Sequence, residues 1–188
     1  ESAVKQYVGS KHPQSTNKAV AKFLIRKSIQ TAQATEFPVI QINERCQIGK
    51  SFGERICHAM EQVFDQGFQR LIVIGNDSPQ LSSDTIVKVA EQLAQKEVVL
   101  GPSTDCGVYL IGLTRQSYQR PFWLGLSWET EKLSHQLREL NPSIQWLNEL
   151  SDSDHASAFF RYFRSLEWGT GDFLTWQAIL DHPIEMPY

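Results

Sequence analysis

Cysteine is scarce in this chain of 188 residues, with only Cys46, Cys57 and Cys106, and that scarcity excludes a disulfide framework and any Cys-x-x-Cys zinc site. The odd count suits a reducing compartment. The five histidines, His12, His58, His135, His155 and His182, form no His-x-His or His-x-x-x-His pair, so the spacing of a histidine-built metal site is missing as well. No hydrophobic run approaches the length needed to span a bilayer, and no charged-then-apolar leader opens the chain. Neither sign of charge dominates. With 18 Lys and Arg against 21 Asp and Glu, the net charge of −3 gives no footprint for nucleic acid or for a membrane surface. Lys22, Arg26 and Lys27 lie on a helix that also carries Phe23, Leu24 and Ile29, and read as its solvated face. These absences leave an ordinary cytoplasmic globular protein, long enough to form a single domain over residues 1–188 with a core that needs no staples.

What is present points to a sheet and to one edge of it. Leu71-Ile72-Val73-Ile74 is an unbroken apolar run, which reads as a strand buried on both faces, the pattern of a parallel sheet covered by helices. The run stops at Gly75-Asn76-Asp77-Ser78-Pro79. Asp77 therefore falls at the carboxyl end of a central strand, where open α/β sheets bind their ligands. It is a candidate metal or substrate ligand, and equally the first residue of an Asx-turn before Pro79.

Helices and strands alternate along the rest of the chain. Thr16 to Gln33 predicts a helix, and Pro38-Val39-Ile40-Gln41-Ile42 a short strand. Ser51-Phe52-Gly53-Glu54 is a capping box opening a helix with apolar residues at Phe52, Ile56, Ala59, Met60, Val63 and Phe64, closed by Gly67. After the strand at 70–75, Ser83 or Asp84 caps a helix whose stripe is Ile86, Val89, Ala90 and Leu93. Strands are expected at Glu97 to Gly101, Val108 to Leu113 and Ile144 to Leu147, and helices at Trp128 to Leu140, Asp154 to Leu166 and Asp172 to Leu180. This order predicts a three-layer α/β/α domain with a mostly parallel, doubly wound sheet. Because the first helix has no strand before it and the chain opens on Glu1, a first strand and its loop are expected upstream. Cys57 reads as a small core residue. Cys106, between Asp105 and Gly107 in a turn, has no evident His or Asn partner that would make it a nucleophile.

Four segments in order carry a family resemblance: Gly49-Lys50-Ser51-Phe52-Gly53-Glu54-Arg55; Ile74-Gly75-Asn76-Asp77-Ser78-Pro79-Gln80-Leu81; Val99 to Leu113, including Pro102-Ser103-Thr104-Asp105-Cys106-Gly107; and Ser151-Asp152-Ser153-Asp154. Together they resemble a bacterial glycosyltransferase-like family of unknown function with the GT-A, nucleotide-diphospho-sugar transferase fold. That family is similar to the guanylyltransferases acting on molybdopterin and phospholactate. The resemblance runs from about Lys5 to about Phe163.

It implies a glycosyl- or nucleotidyltransferase that takes a nucleotide or nucleotide sugar, a small-molecule acceptor and a divalent cation, Mg or Mn. A cation held by carboxylates neutralises the charge that develops on a pyrophosphate in such transfers. The matching positions make Asp77 and Asp154 metal ligands, with Asp152 a helper or a helix cap, and Asp77 and Asp105 catalytic. They place Gly49, Gly53, Arg55, Gly75 and Asn76 at the nucleotide. A helix starting near Ser51 would turn its free amides toward a phosphate, and Arg55 could grip one. Asp105 is a candidate partner for a sugar or acceptor hydroxyl, and alternatively a turn-former. Trp128 and Thr130 also match a family position. Cys106 stands where the family usually has a glycine, which concerns acceptor binding most if that glycine takes a positive φ. A non-catalytic nucleotide-binding module on the same fold is the alternative. An aspartate-nucleophile phosphatase is set aside, because Gly75 stands where its nucleophile would be.

Overall fold

The structure, a computed structural model, describes residues 14–140, 144–151 and 162. The chain order is α1 (Gln14–Gln33), α2 (Phe52–Asp65), β1 (Arg70–Ile74), α3 (Ser83–Gln92), β2 (Val98–Pro102), β3 (Val108–Thr114), α4 (Arg120–Leu124), α5 (Leu133–Leu140) and β4 (Gln145–Trp146). The helices expected from Asp154 and from Asp172 lie outside the described residues, apart from Tyr162, which is helical and buried.

One four-stranded sheet has the order β1-β3-β2-β4. β3 runs antiparallel to both β1 and β2, and β4 runs parallel to β2, so β1, β2 and β4 share one direction and β3 alone opposes them. The sheet is therefore mixed, and among the described residues its one parallel ladder is the β2–β4 pair. Apolar side chains are buried on both of its faces. Cys57, Met60 and Phe64 of α2 and Trp123, Leu133 and Leu137 from the α4–α5 region pack with Leu100, Ile111 and Leu113. Leu81 together with Ile86, Val89 and Leu93 of α3 packs with Val99, Tyr109 and Leu110. α1 lies against α3.

Strict alternation along β3 would put Tyr109 and Leu110 on opposite faces, yet both belong to the α3 side. The cause is a register shift. Gly101 pairs with Leu110 and Pro102 with Val108, leaving Tyr109 as the extra residue of a bulge that turns its ring to the other face. Gly101 makes room for that ring: a Cβ there would collide with Tyr109 Cζ. The Tyr109 hydroxyl then donates to the Asn148 carbonyl at 3.1 Å and ties the segment after β4 to the sheet.

Local signals explain most element boundaries. Ser51 caps α2 with the full reciprocal capping box of Glu54. α3 is capped by Ser82, whose side chain accepts from the Thr85 amide, and not by Ser83 or Asp84. The stretch Pro38–Ile42 forms no strand, contrary to its pattern. A ladder requires a neighbouring strand, and among the described residues none pairs with it; Val39 and Ile40 are 37% and 39% exposed. The helix expected from Trp128 starts only at Leu133, and α4, with a proline in its first turn, precedes it. α4 is fastened to α2 by Glu61, whose carboxylate accepts from the Tyr118 hydroxyl at 2.9 Å and from the Arg120 guanidinium. Burial and that hydrogen bond to a carboxylate push the Tyr118 phenol well above the ordinary range, so it stays a donor. Among the described residues no helix is long and apolar enough to cross a membrane.

Candidate functional site

Three chain segments meet where β1 and β2 end and β3 begins. The Gly75 amide extends the β1 ladder by donating to the Tyr109 carbonyl at 3.1 Å, after which the chain leaves the sheet. Asn76 is exposed, Asp77 half-buried, and Ser78 and Pro79 are buried. A Cβ on Gly75 would stand 2.7 Å from Asp77 Oδ1, so the absence of a side chain at 75 is what lets the Asp77 carboxylate lie back over the strand end. Glycine at 75 serves the placement of Asp77.

The second segment follows β2. Asp105 Oδ1 accepts from the Ser103 hydroxyl at 2.5 Å and from the Gly107 amide at 2.9 Å, while the Ser103 amide donates to the Gly107 carbonyl at 3.0 Å. One carboxylate oxygen of Asp105 is thus committed to closing its own turn, the behaviour of an Asx residue. Within that turn Cys106 has φ +69°, the left-handed region that favours glycine. Its carbonyl accepts from the hydroxyl and amide of Ser134 in α5, at 2.7 and 3.2 Å. The thiol is exposed.

That conformation yields a prediction. A non-glycine residue in left-handed backbone costs about 1–2 kcal/mol, and glycine loses about 0.5–1 kcal/mol more on folding. Cys106→Gly is therefore expected to stabilise the fold by about 0.5–1 kcal/mol. A lower melting temperature for the variant would mean that the cysteine side chain makes a contact outweighing its backbone strain.

The third segment is the start of the Ser151–Asp154 run. Leu150 bridges to Ser103, its amide donates to the Pro102 carbonyl at 3.1 Å, and its carbonyl accepts from the Thr104 amide at 3.0 Å. The Ser151 amide then donates to Gln80 Oε1 at 3.3 Å. The run that begins at Ser151 is thereby drawn to the loop that carries Asp77, although the two are more than seventy residues apart. Asp152 and Asp154 themselves lie outside the described residues. Among the described residues, no three His, Cys, Asp or Glu side chains gather in a metal-binding group.

α2 is joined to β1 by a short turn and runs back along it, so its N-terminus lies toward the same edge of the sheet. Part of that start is already bonded: the Glu54 carboxylate accepts from the amides of Lys50 and Ser51, and the Ser51 hydroxyl from the Glu54 amide. These bonds, that from Lys50 first, hold the Glu54 carboxyl below its ordinary 4.5. A carboxylate thus sits at the start of the helix. Gly49, at φ +142°, is pressed on this turn, where a Cβ would meet Glu54 Cβ at 2.6 Å. Gly53 packs on Trp128, whose Cδ1 would be 2.8 Å from an added Cβ. Both glycines serve close packing. Arg55 lies with its guanidinium 5.7 Å from the centre of the Phe52 ring.

The Glu54 cap also sets a pH dependence. A carboxyl with a depressed native pKa contributes stability that is present above its unfolded value, near 4.5, and is lost as pH falls through the lowered native value. Melting curves of the native chain and Glu54→Gln should differ most near neutral pH and converge as pH falls through the lowered native value. A gap that widened on acidification would contradict the capping role.

Several contributors to this edge gave no signal as candidates. Gln80 and Ser134 act through hydrogen bonds to distant backbone, which no spacing rule reveals. Ser78 is 5% exposed and its hydroxyl has no hydrogen-bond partner among the described residues. Ser103 could have been found, since Ser-x-Asp-x-Gly is a turn pattern in its own right.

Comparison with known proteins sets this geometry beside relatives. A family profile described as "Uncharacterized protein conserved in bacteria (DUF2064)" matches residues 14–130. A search of curated proteins finds no significant match. A crystal structure from Desulfovibrio desulfuricans G20, described as a "putative nucleotide-diphospho-sugar transferase", superposes with a TM-score of 0.79 over 96% of this chain and 91% of that one. The two are 18% identical, so the likeness is one of fold.

Proposed function

We propose that this chain, which belongs to the DUF2064 family of bacterial proteins, is a metal-dependent glycosyl- or nucleotidyltransferase that uses a nucleotide-activated donor. The observation that carries the reading is the meeting of the Asp77 loop, the Asp105 turn and the start of the Ser151 run at the end of the sheet, the edge where such folds bind ligands. With it go a three-layer, GT-A-like, doubly wound domain and a cytoplasmic setting.

The described residues fit a hard cation of the kind that keeps most of its ligands as water and phosphate oxygen, since such ions need only one or two protein carboxylates. Asp77 is the ligand proposed from the described residues, and Asp154, by family resemblance, the second. The cation supplies charge neutralisation at the donor's phosphates. Asp77 is positioned for this by Gly75, which leaves room for its carboxylate. Asp105, with Oδ1 held in its turn, orders the backbone beside the acceptor position. Gly49, Gly53 and Arg55 shape the start of α2, and Asn76 is exposed next to Asp77.

A second reading, a nucleotide-binding module without turnover, is favoured by Cys106 in strained backbone and by the commitment of Asp105 to its turn. One experiment separates the two. The full chain is screened by thermal shift against nucleoside diphosphates and nucleotide sugars with and without Mn2+, and hydrolysis or transfer of any stabilising donor is followed. Metal-dependent stabilisation with donor consumption supports the transferase. Stabilisation without consumption across small-molecule acceptors supports the module, and no stabilisation by any nucleotide overturns both.

A further inference from the structure

The start of α2, capped by Glu54, also carries a recognition surface of another kind. Phe52, the first residue of the helix, remains 36% exposed although its ring rests against Trp128 at 5.3 Å between centroids. Trp128 is fixed in turn: its Nε1 donates to the Trp123 carbonyl at 2.7 Å, and Gly53 admits its ring at close range. The Arg55 guanidinium lies over the Phe52 ring. Ile48, next to the tightly packed Gly49, is 60% exposed. A partly exposed aromatic ring held from behind, with a guanidinium over it, has the chemistry of a stacking platform. An exposed phenylalanine held so firmly is also a standing hydrophobic cost, which a planar apolar ligand would relieve.

We infer that Phe52, with Arg55, receives the nucleobase of the nucleotide-activated donor, while the phosphates go to the Asp77 loop. This rests on the proposed nucleotide-binding function and divides the donor between two parts of the edge. The Arg55 guanidinium can both stack with the base and donate to its ring nitrogens or carbonyl oxygens, while the cation proposed at Asp77 draws the phosphates to that loop. Because every base has a π-face, stacking alone makes the site tolerant of base identity.

The test compares two probes on the full chain with Mn2+: inorganic pyrophosphate, and whichever of ADP, GDP, CDP, UDP and dTDP binds tightest. Phe52→Ala is expected to weaken nucleoside diphosphate binding by roughly 10- to 100-fold, the range seen when one base-stacking aromatic is removed. Pyrophosphate binding should be unchanged, and Phe52→Tyr should keep nucleotide affinity within about threefold of the native value, since stacking is retained. Equal nucleotide binding by the native chain and Phe52→Ala overturns the platform and leaves the nucleotide reading intact. Parallel loss of pyrophosphate and nucleotide binding by Phe52→Ala, or failure of Phe52→Tyr to retain affinity, also overturns it by showing a general effect on folding. If the native chain binds none of the five nucleotides, the functional reading itself fails, and this inference with it.

Discussion

Asp77→Asn is expected to remove the Mn2+-dependent stabilisation of the chain by nucleoside diphosphates. Asparagine keeps the shape that Gly75 accommodates and removes the charge, so the effect is read as the ligand-induced shift of each variant against its own unliganded melting temperature. A ligand present at about one hundred times its dissociation constant stabilises a protein by about 2.7 kcal/mol. In a chain of this size that is a rise in melting temperature of roughly 5–10 °C. Loss even of an outer-shell partner weakens metal binding about 10–100-fold, and a direct ligand belongs at the top of that range or beyond. At a hundredfold weaker affinity, the same ligand concentration contributes only about 0.4 kcal/mol, and the shift almost disappears. Retention of the full, metal-dependent shift by Asp77→Asn would eliminate Asp77 as the ligand and with it the proposed placement of the phosphates.

Trp123→Ala is expected to have the largest effect on stability, about 3–5 kcal/mol, or a fall in melting temperature of roughly 10–15 °C. Trp123 is 1% exposed and sits in the cluster that joins α2, α4 and α5 to one face of the sheet. Its ring meets Phe122 edge-on at 5.4 Å and stacks with Trp128 at 6.3 Å. Truncation would leave a cavity that four separate elements would have to close at once. Trp123→Phe should cost much less, because most of the ring volume is kept and the buried indole N–H, which has no hydrogen-bond partner among the described residues, is removed with its desolvation cost. Thermal melts of both variants check this. A fall of only a few degrees for the alanine variant would show that the cluster collapses around the gap. Because Trp128 stacks on Trp123 and supports Phe52, the alanine variant should also weaken nucleotide binding more than pyrophosphate binding.

The parts of the fold legible in the chain were those decided within a few residues. Ser51 and Glu54 satisfy each other's amides across three positions, and Cys57, Met60 and Phe64 recur at helical spacing, so α2 is local information. The apolar run of β1 and the stripe of α3 are of the same kind. Where neighbouring residues offered equivalent chemistry, as in Ser82-Ser83-Asp84, the cap moved by one position. Where the outcome depended on a distant partner, pattern failed. Pro38–Ile42 has the residues of a strand and no ladder to join among the described residues. Trp128, expected to begin a helix, is held instead by Gly53 and the Trp123 carbonyl, and α5 starts at Leu133.

The candidate site divides along the same line. The chain alone determined that a carboxylate would follow the apolar run of β1 at Asp77, that Asp105 would stand in a turn, that Glu54 would cap the start of α2, and that Cys106 would occupy a position suited to glycine, because strand ends, caps and turns are set over a few residues. Only the tertiary structure decided that β1 is a half-buried strand at the edge of the described sheet and not a central strand buried on both faces, that Ser134 holds the Cys106 carbonyl, and that Ser151 reaches Gln80 beside Asp77. Those outcomes depend on which donor lies within about 3 Å of which acceptor, a matter settled when β1, β2 and the segment after β4 come to a common edge.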